Sequence, residues 1–564
     1  MNRADRRRHE AQQAKSGRMP DSSALRTLLE EGKTHHHAGR LQEAEQAYRR
    51  ALVMAPEHAE ALHLFGLLLY RQARYEEAIA SITNAITQIP SPVYCFNLGV
   101  VTQKAGRTDD AVRAYREAIR LNPRYLEARI NLGNALKERG AAADAIEAYR
   151  KALTLNPSHA DVHNNLGVAL KEQGQVQEAI SSYRRAIDLK PSHIEAWNNL
   201  GLALMETGQL REAVDSFEQA LAIQLGYQKA LYNLGIAWSW LGEDGKAVDC
   251  LQQTAVAKHD HGNPVIEGFV YRSRIVHDSE QVQHLFDRDL LNQKYRPYLQ
   301  ALHFLKEQLN RLPSTDNRIP IVSQTLAPVA ASFNRLLYRA PAPRLPQGAL
   351  HPALDVASIE SRYLAKQPEV TYIDDLLNQE ALEVLRCFCW DSTIWKKDYE
   401  NGYIGAFLGD GFASPLLFQI AEGLRLKFPR IFKQHRLTQA WAFKHDSTRK
   451  GLNIHADAAA VNVNFWITPD EANLNPDTGG LVVYDKEAPK DWNFKEYNSD
   501  QNKPKILAWL KDVGAQAVKI PYRANRAVVF NSDLFHETDE VSFKQNYLNR
   551  RINITLLYGY RSQG

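Results

Sequence analysis

The spacing of apolar residues divides this chain into two halves with different periods. In the first half small and apolar residues recur at helical spacing, and the whole pattern repeats every 34 residues. Gly99, Gly133, Gly167, Gly201 and Gly235 form one ladder. Gly106, Gly140, Gly174, Gly208 and Gly242 form a second, and Ala111, Ala145, Ala179, Ala213 and Ala247 a third, all in register. An aromatic follows four residues after the alanine in Tyr115, Tyr149, Tyr183 and Phe217, and Pro123, Pro157 and Pro191 close their units. The small residues let two helices of a hairpin approach closely, and the aromatic fills the gap. The proline stops the second helix because its ring cannot continue the ladder of hydrogen bonds. Beyond about residue 436 the period becomes two. Val461, Val463, Phe465 and Ile467 share one face of a strand, and Asn462, Asn464 and Trp466 share the other, which predicts an apolar packing side and a polar side toward a cavity. Gly479 and Gly480 turn into a strand from Leu481 to Tyr484, and Arg526 to Phe530 reads as another. In the last strand Arg551, Asn553, Thr555 and Leu557 lie on one side, with Ile552, Ile554, Leu556 and Tyr558 on the other.

The 34-residue unit resembles the tetratricopeptide repeat in period and residue class. Two degenerate units precede the regular ones, marked by Gly39, Ala44, Tyr48 and Pro56 and by Gly66, Ala78 and Pro90, and a final unit at 228–261 lacks the terminal proline. Seven repeats are expected over about 25–261, stacked as an all-α superhelix. Asn97, Asn131, Asn165, Asn199 and Asn233 also recur in register, at the sixth position of each first helix. Asparagine is a mediocre helix former, so the ladder needs a reason. First helices line the concave surface of such a superhelix, where an amide can donate and accept one bond each to an extended polypeptide. The repeats resemble those of O-linked N-acetylglucosamine transferases, where a similar ladder holds substrate peptide. The alternative is bonding between adjacent repeats.

Between the halves, at 262–365, the register is lost. Helical spacing persists in Val282, Leu285, Phe286, Leu290 and Leu291 and in Tyr298, Leu302, Leu305 and Leu309, which predicts helices covering the last repeat. Seven prolines from Pro313 to Pro352 then break regular structure, with 340–348 read as a semi-rigid linker. A third region, 366–564, opens with a helix through Leu382, Leu385 and Phe388, for which Asp375 is the expected cap.

Candidate chemistry sits among the strands. His455 and Asp457 are two residues apart, so on a strand both project from one face. His536, arriving from another strand, completes two imidazoles and one carboxylate, a set that leaves coordination positions open and suits a non-heme Fe(II) oxygenase. The order His-x-Asp, alternating strand, Gly-Gly turn, distal His and basic residue resembles Fe(II)/2-oxoglutarate-dependent dioxygenases, especially the prolyl-hydroxylase branch. That resemblance implies a double-stranded β-helix (jelly-roll) fold for 436–560, Fe(II) on His455, Asp457 and His536, and 2-oxoglutarate and O2 as co-substrates. It also implies that Arg551 pairs the far carboxylate of 2-oxoglutarate, with Thr555 joining it, Asn464 or Asn462 bonding the co-substrate and Trp466 walling the pocket. Arg551 lies 15 residues beyond His536, farther than is usual for the family, and its neighbour Arg550 competes for the role on strand parity alone.

Composition narrows the context. A net charge of +4 over 564 residues, without a basic stripe, gives no reason to infer nucleic acid. Four scattered cysteines make no disulfide framework and fit a reducing cytoplasm. The pair Cys387 and Cys389 falls in a helical segment and reads as structural. No run of 18 apolar residues occurs, so no membrane span is expected. The basic start, 1–24, reads as a solvated tail. The chain is thus expected to be multidomain and to hydroxylate a polypeptide docked in its repeat groove. Two alternatives stand beside this: an interaction scaffold with a non-catalytic oxygenase-like domain, and an oxygenase acting on a small molecule or glycan.

Overall fold

The glycine ladders act as the sequence implies. A Cβ built on Gly133 would lie 2.5 Å from Cε1 of Tyr149, a ring with no solvent exposure. The aromatic therefore occupies the place a side chain would take. Gly140, between the two helices of its unit, has φ +80, a conformation that costs other residues far more. The computed structural model describes residues 22–259, 269–311, 318–320, 329, 332–365, 368–400, 402–446, 448–449, 454–490, 492, 494–498 and 500–559. The expected basic tail lies, up to residue 21, outside these.

Two compact units result, 1–223 and 224–564. Among the described residues the first holds six helix pairs, from Ser22–His37 with Leu41–Met54 to Ile194–Glu206 with Leu210–Ile223. A seventh pair, Gln228–Trp240 and Asp244–His259, belongs to the second unit. Among the described residues no helix is long and apolar enough to cross a membrane.

The strands of the second unit are, in chain order, β1 (Phe269–Tyr271), β2 (Arg318–Pro320), β3 (Val370–Ile373), β4 (Lys397–Tyr399), β5 (Tyr403–Phe407), β6 (Leu437–His445), β7 (Thr448–Arg449), β8 (Val461–Trp466), β9 (Leu481–Glu487), β10 (Ala517–Ile520), β11 (Ala527–Asn531), β12 (Leu534–Thr538), β13 (Val541–Ser542) and β14 (Ile552–Tyr558). Seven form an antiparallel sheet in the order β3-β11-β8-β14-β6-β5-β4, and three form a second in the order β10-β9-β12. One face of the large sheet buries Ile404, Ala406, Ala440, Ala442, Val463, Phe465, Ile554 and Leu556. Helices Gln379–Asp391 and Pro415–Lys427 anchor to this sheet. Arg386 Nε donates to the Ile467 carbonyl at 2.5 Å, and Tyr558 Oη to the Ala421 carbonyl at 2.9 Å. On the other face Val370, Trp466, Val528 and Phe530 pack against Leu481, Val483, Ile520 and Leu534 of the small sheet.

Three expectations about the middle of the chain are corrected in detail. Helix Arg272–Asp287 packs its apolar face on Arg296–Asn310, but its polar face serves the sheet domain. Gln281 Nε2 donates to the Ser392 carbonyl at 2.8 Å and to Tyr547 Oη at 2.9 Å. Its buried Arg274 and Asp278 pair with each other and Arg274 also reaches Asn334, whereas buried Gln281 finds its partners in that domain. The second helix of the seventh repeat is met by the turn at Leu408–Asp410, where Asp410 accepts from Lys258 Nζ at 2.6 Å and pairs His259 Nε2 at 2.8 Å. The proline-rich segment 340–348 is docked along its length: Leu416 N donates to the Ala342 carbonyl, and Leu345 exchanges two bonds with the Gln419 amide. The cap of helix Gln379–Asp391 is Asn378, whose Oδ1 accepts from Ala381 N at 2.8 Å. Asp375 occupies a turn with φ 52 and faces Arg523.

Candidate metal centre

The segment carrying His455 and Asp457 is held extended by its backbone. His455 and His536 form an isolated antiparallel bridge, Ala456 N donates to the Tyr497 carbonyl at 3.1 Å, and Asp457 N to the Ser532 carbonyl at 3.1 Å. Ala456 points into an apolar cluster with Phe535 and Ile506, so its two neighbours project the opposite way. One ligand atom from each of His455, Asp457 and His536 falls within 4.8 Å of the others. Asp457 Oδ2 is 3.5 Å from His536 Nε2, and Asp457 Oδ1 is 3.9 Å from His455 Nε2.

Two further bonds prepare this set for a cation. His536 Nδ1 lies 3.0 Å from the Leu534 carbonyl. A carbonyl only accepts, so the ring proton sits on Nδ1 and Nε2 keeps a free lone pair. Asn462 Nδ2 donates to Asp457 Oδ2 at 2.7 Å, leaving Oδ1 as the carboxylate's free donor. Burial alone would raise the Asp457 carboxyl, but the His536 and His455 rings, when protonated, and the Asn462 bond hold it below the usual carboxylate range. Two imidazoles and one carboxylate fit Fe(II) by donor chemistry.

The bond to Asp457 continues into a chain of amides. Asn464 Nδ2 donates to Asn462 Oδ1 at 2.6 Å, and Asn464 Oδ1 accepts from Asn553 Nδ2 at 2.8 Å and from Thr555 Oγ1 at 2.9 Å. Asn464 and Thr555, expected to hold the co-substrate, are thus bonded to each other on the cluster's side of the sheet. Sequence reading missed Asn553, although it has the parity of Arg551 and Thr555 and is an amide on an inward face.

Arg551 has no solvent exposure and ends in a polar cradle. Its Nε donates to the Gly479 carbonyl at 2.6 Å and its Nη2 lies 3.3 Å from the Gly480 carbonyl, while Nη1 has no partner among the described residues. The Gly-Gly turn is required here, since a Cβ on Gly480 would collide with the Ile520 carbonyl. Burial lowers the guanidinium to about 10, so it remains a cation at neutral pH. Arg550 points elsewhere and is paired, with Glu280 at 2.7 Å and Asp446 at 2.5 Å. Strand parity thus leaves Arg551 as the arginine with an unused donor. A buried guanidinium with a donor to spare fits a ligand carboxylate. Trp466 is fully buried, 5.7 Å from Arg551 across its ring and 5.5 Å from Tyr522.

In the first unit the asparagine ladder makes repeat-to-repeat bonds. Asn97 Nδ2 lies 2.8 Å from His63 Nε2, Asn165 Nδ2 donates to Asn134 Oδ1 at 3.3 Å, and Asn199 Nδ2 to Asn164 Oδ1 at 3.0 Å. Asn131 stands in hydrogen-bond reach of the Tyr115 hydroxyl. All five, including Asn233 in the second unit, are half-buried.

The family description "TPR repeat" matches residues 103–140, 133–174 and 168–208, and "Tetratricopeptide repeat" matches 29–91 and 194–224. No curated protein matches the chain. Similar solved structures include MamA, at 28% identity and TM-score 0.27 over 28% of this chain and 91% of that one. YrrB, described as a TPR protein with an unusual peptide-binding site, is 24% identical, with TM-score 0.28 over 32% of this chain and 93% of that one. A tetratricopeptide repeat protein from Parabacteroides merdae is 18% identical, with TM-score 0.36 over 43% and 95%. Residues 29–91 and 103–224 are therefore tetratricopeptide repeats, and with them the chain carries a scaffold for binding other proteins.

Proposed function

We propose that the second unit is an Fe(II)- and 2-oxoglutarate-dependent dioxygenase that hydroxylates a polypeptide recruited by the repeats. The observation that carries this reading is a three-ligand face, His455, Asp457 and His536, in the same sheet domain as a fully buried Arg551 whose Nη1 has no partner among the described residues. We read the facing seven- and three-stranded sheets as a double-stranded β-helix. His455 Nε2, Asp457 Oδ1 and His536 Nε2 would hold the metal. Bound there, Fe(II) would couple oxidative decarboxylation of 2-oxoglutarate by O2, giving succinate and CO2, to insertion of one oxygen atom into a substrate C–H bond. The residues of the chain supply the rest. Arg551 Nη1 binds the far carboxylate, a charge-assisted contact worth about 1.5–3 kcal/mol. Asn462 keeps Asp457 turned so that one oxygen faces the metal. Phe530, edge-on to the His536 ring at 4.9 Å, keeps that side of the site apolar.

A second reading makes the repeats the working part and the second unit a non-catalytic support. It is favoured by the family matches, which all lie within 29–224. Metal analysis of the purified chain separates the two. The dioxygenase reading expects one Fe(II) per chain, lost when His455→Ala and Asp457→Ala are combined. Metal content unchanged in that double variant contradicts it.

A further inference from the structure

The sheet that carries the amide chain continues, on the same face, into a strip of aromatic rings that the catalytic reading does not use. Thr555, bonded to Asn464, lies opposite Trp441, and Asn553 lies opposite Phe443. Phe407 is opposite Trp441, Tyr403 opposite His445, and Tyr399 opposite Tyr403. Directly paired residues share a face, so Tyr399, Tyr403, Phe407, Trp441 and Phe443 stand on the cluster's side. Trp441 is two strand spacings, about 10 Å, from Asn464. The rings support one another: Tyr399 stacks on Tyr403 at 4.3 Å, and Tyr403 meets Phe443 edge-on at 5.1 Å. Gly405 lies beneath them, and a Cβ there would come within 3.0 Å of Phe407 and 3.1 Å of Phe443.

What marks this strip is its exposure. On the reverse face of the same strands Ile404, Ala406, Ala440 and Ala442 are buried. Each of the five aromatic residues is only partly buried. A contiguous, partly open aromatic surface beside a candidate active site is a binding surface by the ordinary logic of apolar patches. On β4, β5 and β6 this face carries one formal charge, Lys397, at the outer edge against Tyr399. His445 at its inner end is buried and held neutral by that burial, with Arg551 adding to the effect.

The strip also has a defined outer end. Trp240 Nε1 donates to the Leu437 carbonyl at 2.5 Å, and the Arg436 guanidinium bonds the Trp240 carbonyl. Tyr232 packs against Gly409, two residues past Phe407. The first helix of the seventh repeat, which carries Asn233, is therefore attached where β5 ends and β6 begins. From the row of Phe407 and Trp441, beside that attachment, the strip runs about 13 Å, four extended residues, to the row of Tyr403 and His445.

We infer that this strip is the floor on which an extended, uncharged segment of a polypeptide substrate lies. Aliphatic side chains and proline rings are its natural occupants, because their C–H groups pack on ring faces and need no counter-charge. The inference rests on the dioxygenase reading for what happens to the bound segment, not for the binding itself.

A random dodecapeptide library displayed on phage and selected on the full-length chain tests it, once without added metal and once with Ni(II). Enriched peptides are expected to share a run of about four uncharged, mainly aliphatic or proline residues. Synthetic copies should slow hydrogen exchange of Lys397–Phe407 and 439–445 in the wild-type protein. Trp441→Ser should weaken them by roughly tenfold, with Trp441→Phe restoring most of the loss. Selection of peptides dominated by charged residues, protection confined to 92–206, or no enrichment at all would overturn the inference. Failure of Ni(II) uptake with peptide binding intact would instead count against the dioxygenase reading alone.

Discussion

His455 and His536 face each other as a directly bonded antiparallel pair. The N–H of each donates to the carbonyl of the other, at 3.0 and 2.8 Å, and their rings are 4.4 Å apart. Two ligands distant in sequence are thereby set side by side by the main chain. The side chains need little rearrangement to accept a metal, and the third ligand, Asp457, is fixed two residues along the same segment.

The two neighbouring arginines should separate cleanly. Arg551→Ala is expected to raise the 2-oxoglutarate requirement by one to two decades while metal uptake persists, since a charge-assisted contact of about 1.5–3 kcal/mol is lost. Arg550→Ala should instead lower the melting temperature, because Glu280 and Asp446 lose their partner. With the guanidinium lowered by burial to about 10, the Arg551 contribution should persist through neutral pH and fall as pH rises through that value. Titrations of 2-oxoglutarate on both variants check this; the reverse assignment of phenotypes would refute the role given to Arg551.

Asn462→Ala removes the bond that orients Asp457. Loss of a group that orients a metal ligand typically costs about 10- to 100-fold in metal affinity, and competition against a chelator measures it. Asn464→Ala, one bond farther away, should cost less. Unchanged affinity in Asn462→Ala would mean that the carboxylate needs no such support.

Replacing Asn165 and Asn199 with alanine sets two small effects against each other. Each change loses a neutral hydrogen bond between repeats, roughly 0.5–1.5 kcal/mol. Each also gains helix propensity of up to about 0.7 kcal/mol. The bond wins narrowly, so the double variant should melt a few degrees early. A variant as stable as wild type that no longer binds its protein partner would assign the amides to the groove.

The sequence made the repeats legible because a 34-residue period is a local property, repeated where each glycine meets its aromatic. The inward face of β14 was equally legible, since strict alternation allows two choices only. What holds Arg550 away from the site was not legible. It depends on Glu280, 270 positions away in the chain. Helix Arg272–Asp287 was readable as a helix but not as part of the sheet domain, because the Gln281 partners Ser392 and Tyr547 lie 111 and 266 positions away. The ligand-orienting carbonyl of Leu534 belongs to the backbone and carries no residue signature at all. For the asparagine ladder the in-register spacing was plain, but peptide binding and inter-repeat bonding impose the same period.

Succinate formation from 2-oxoglutarate by the full-length protein, supplied with Fe(II), O2 and a reductant, tests the central claim most directly. The account predicts slow, iron-dependent succinate release without any added polypeptide, abolished in Asp457→Ala and recovered in Arg551→Ala only at raised 2-oxoglutarate. Iron-bound wild-type protein that releases no succinate, or Asp457→Ala protein that releases as much as wild type, would contradict it.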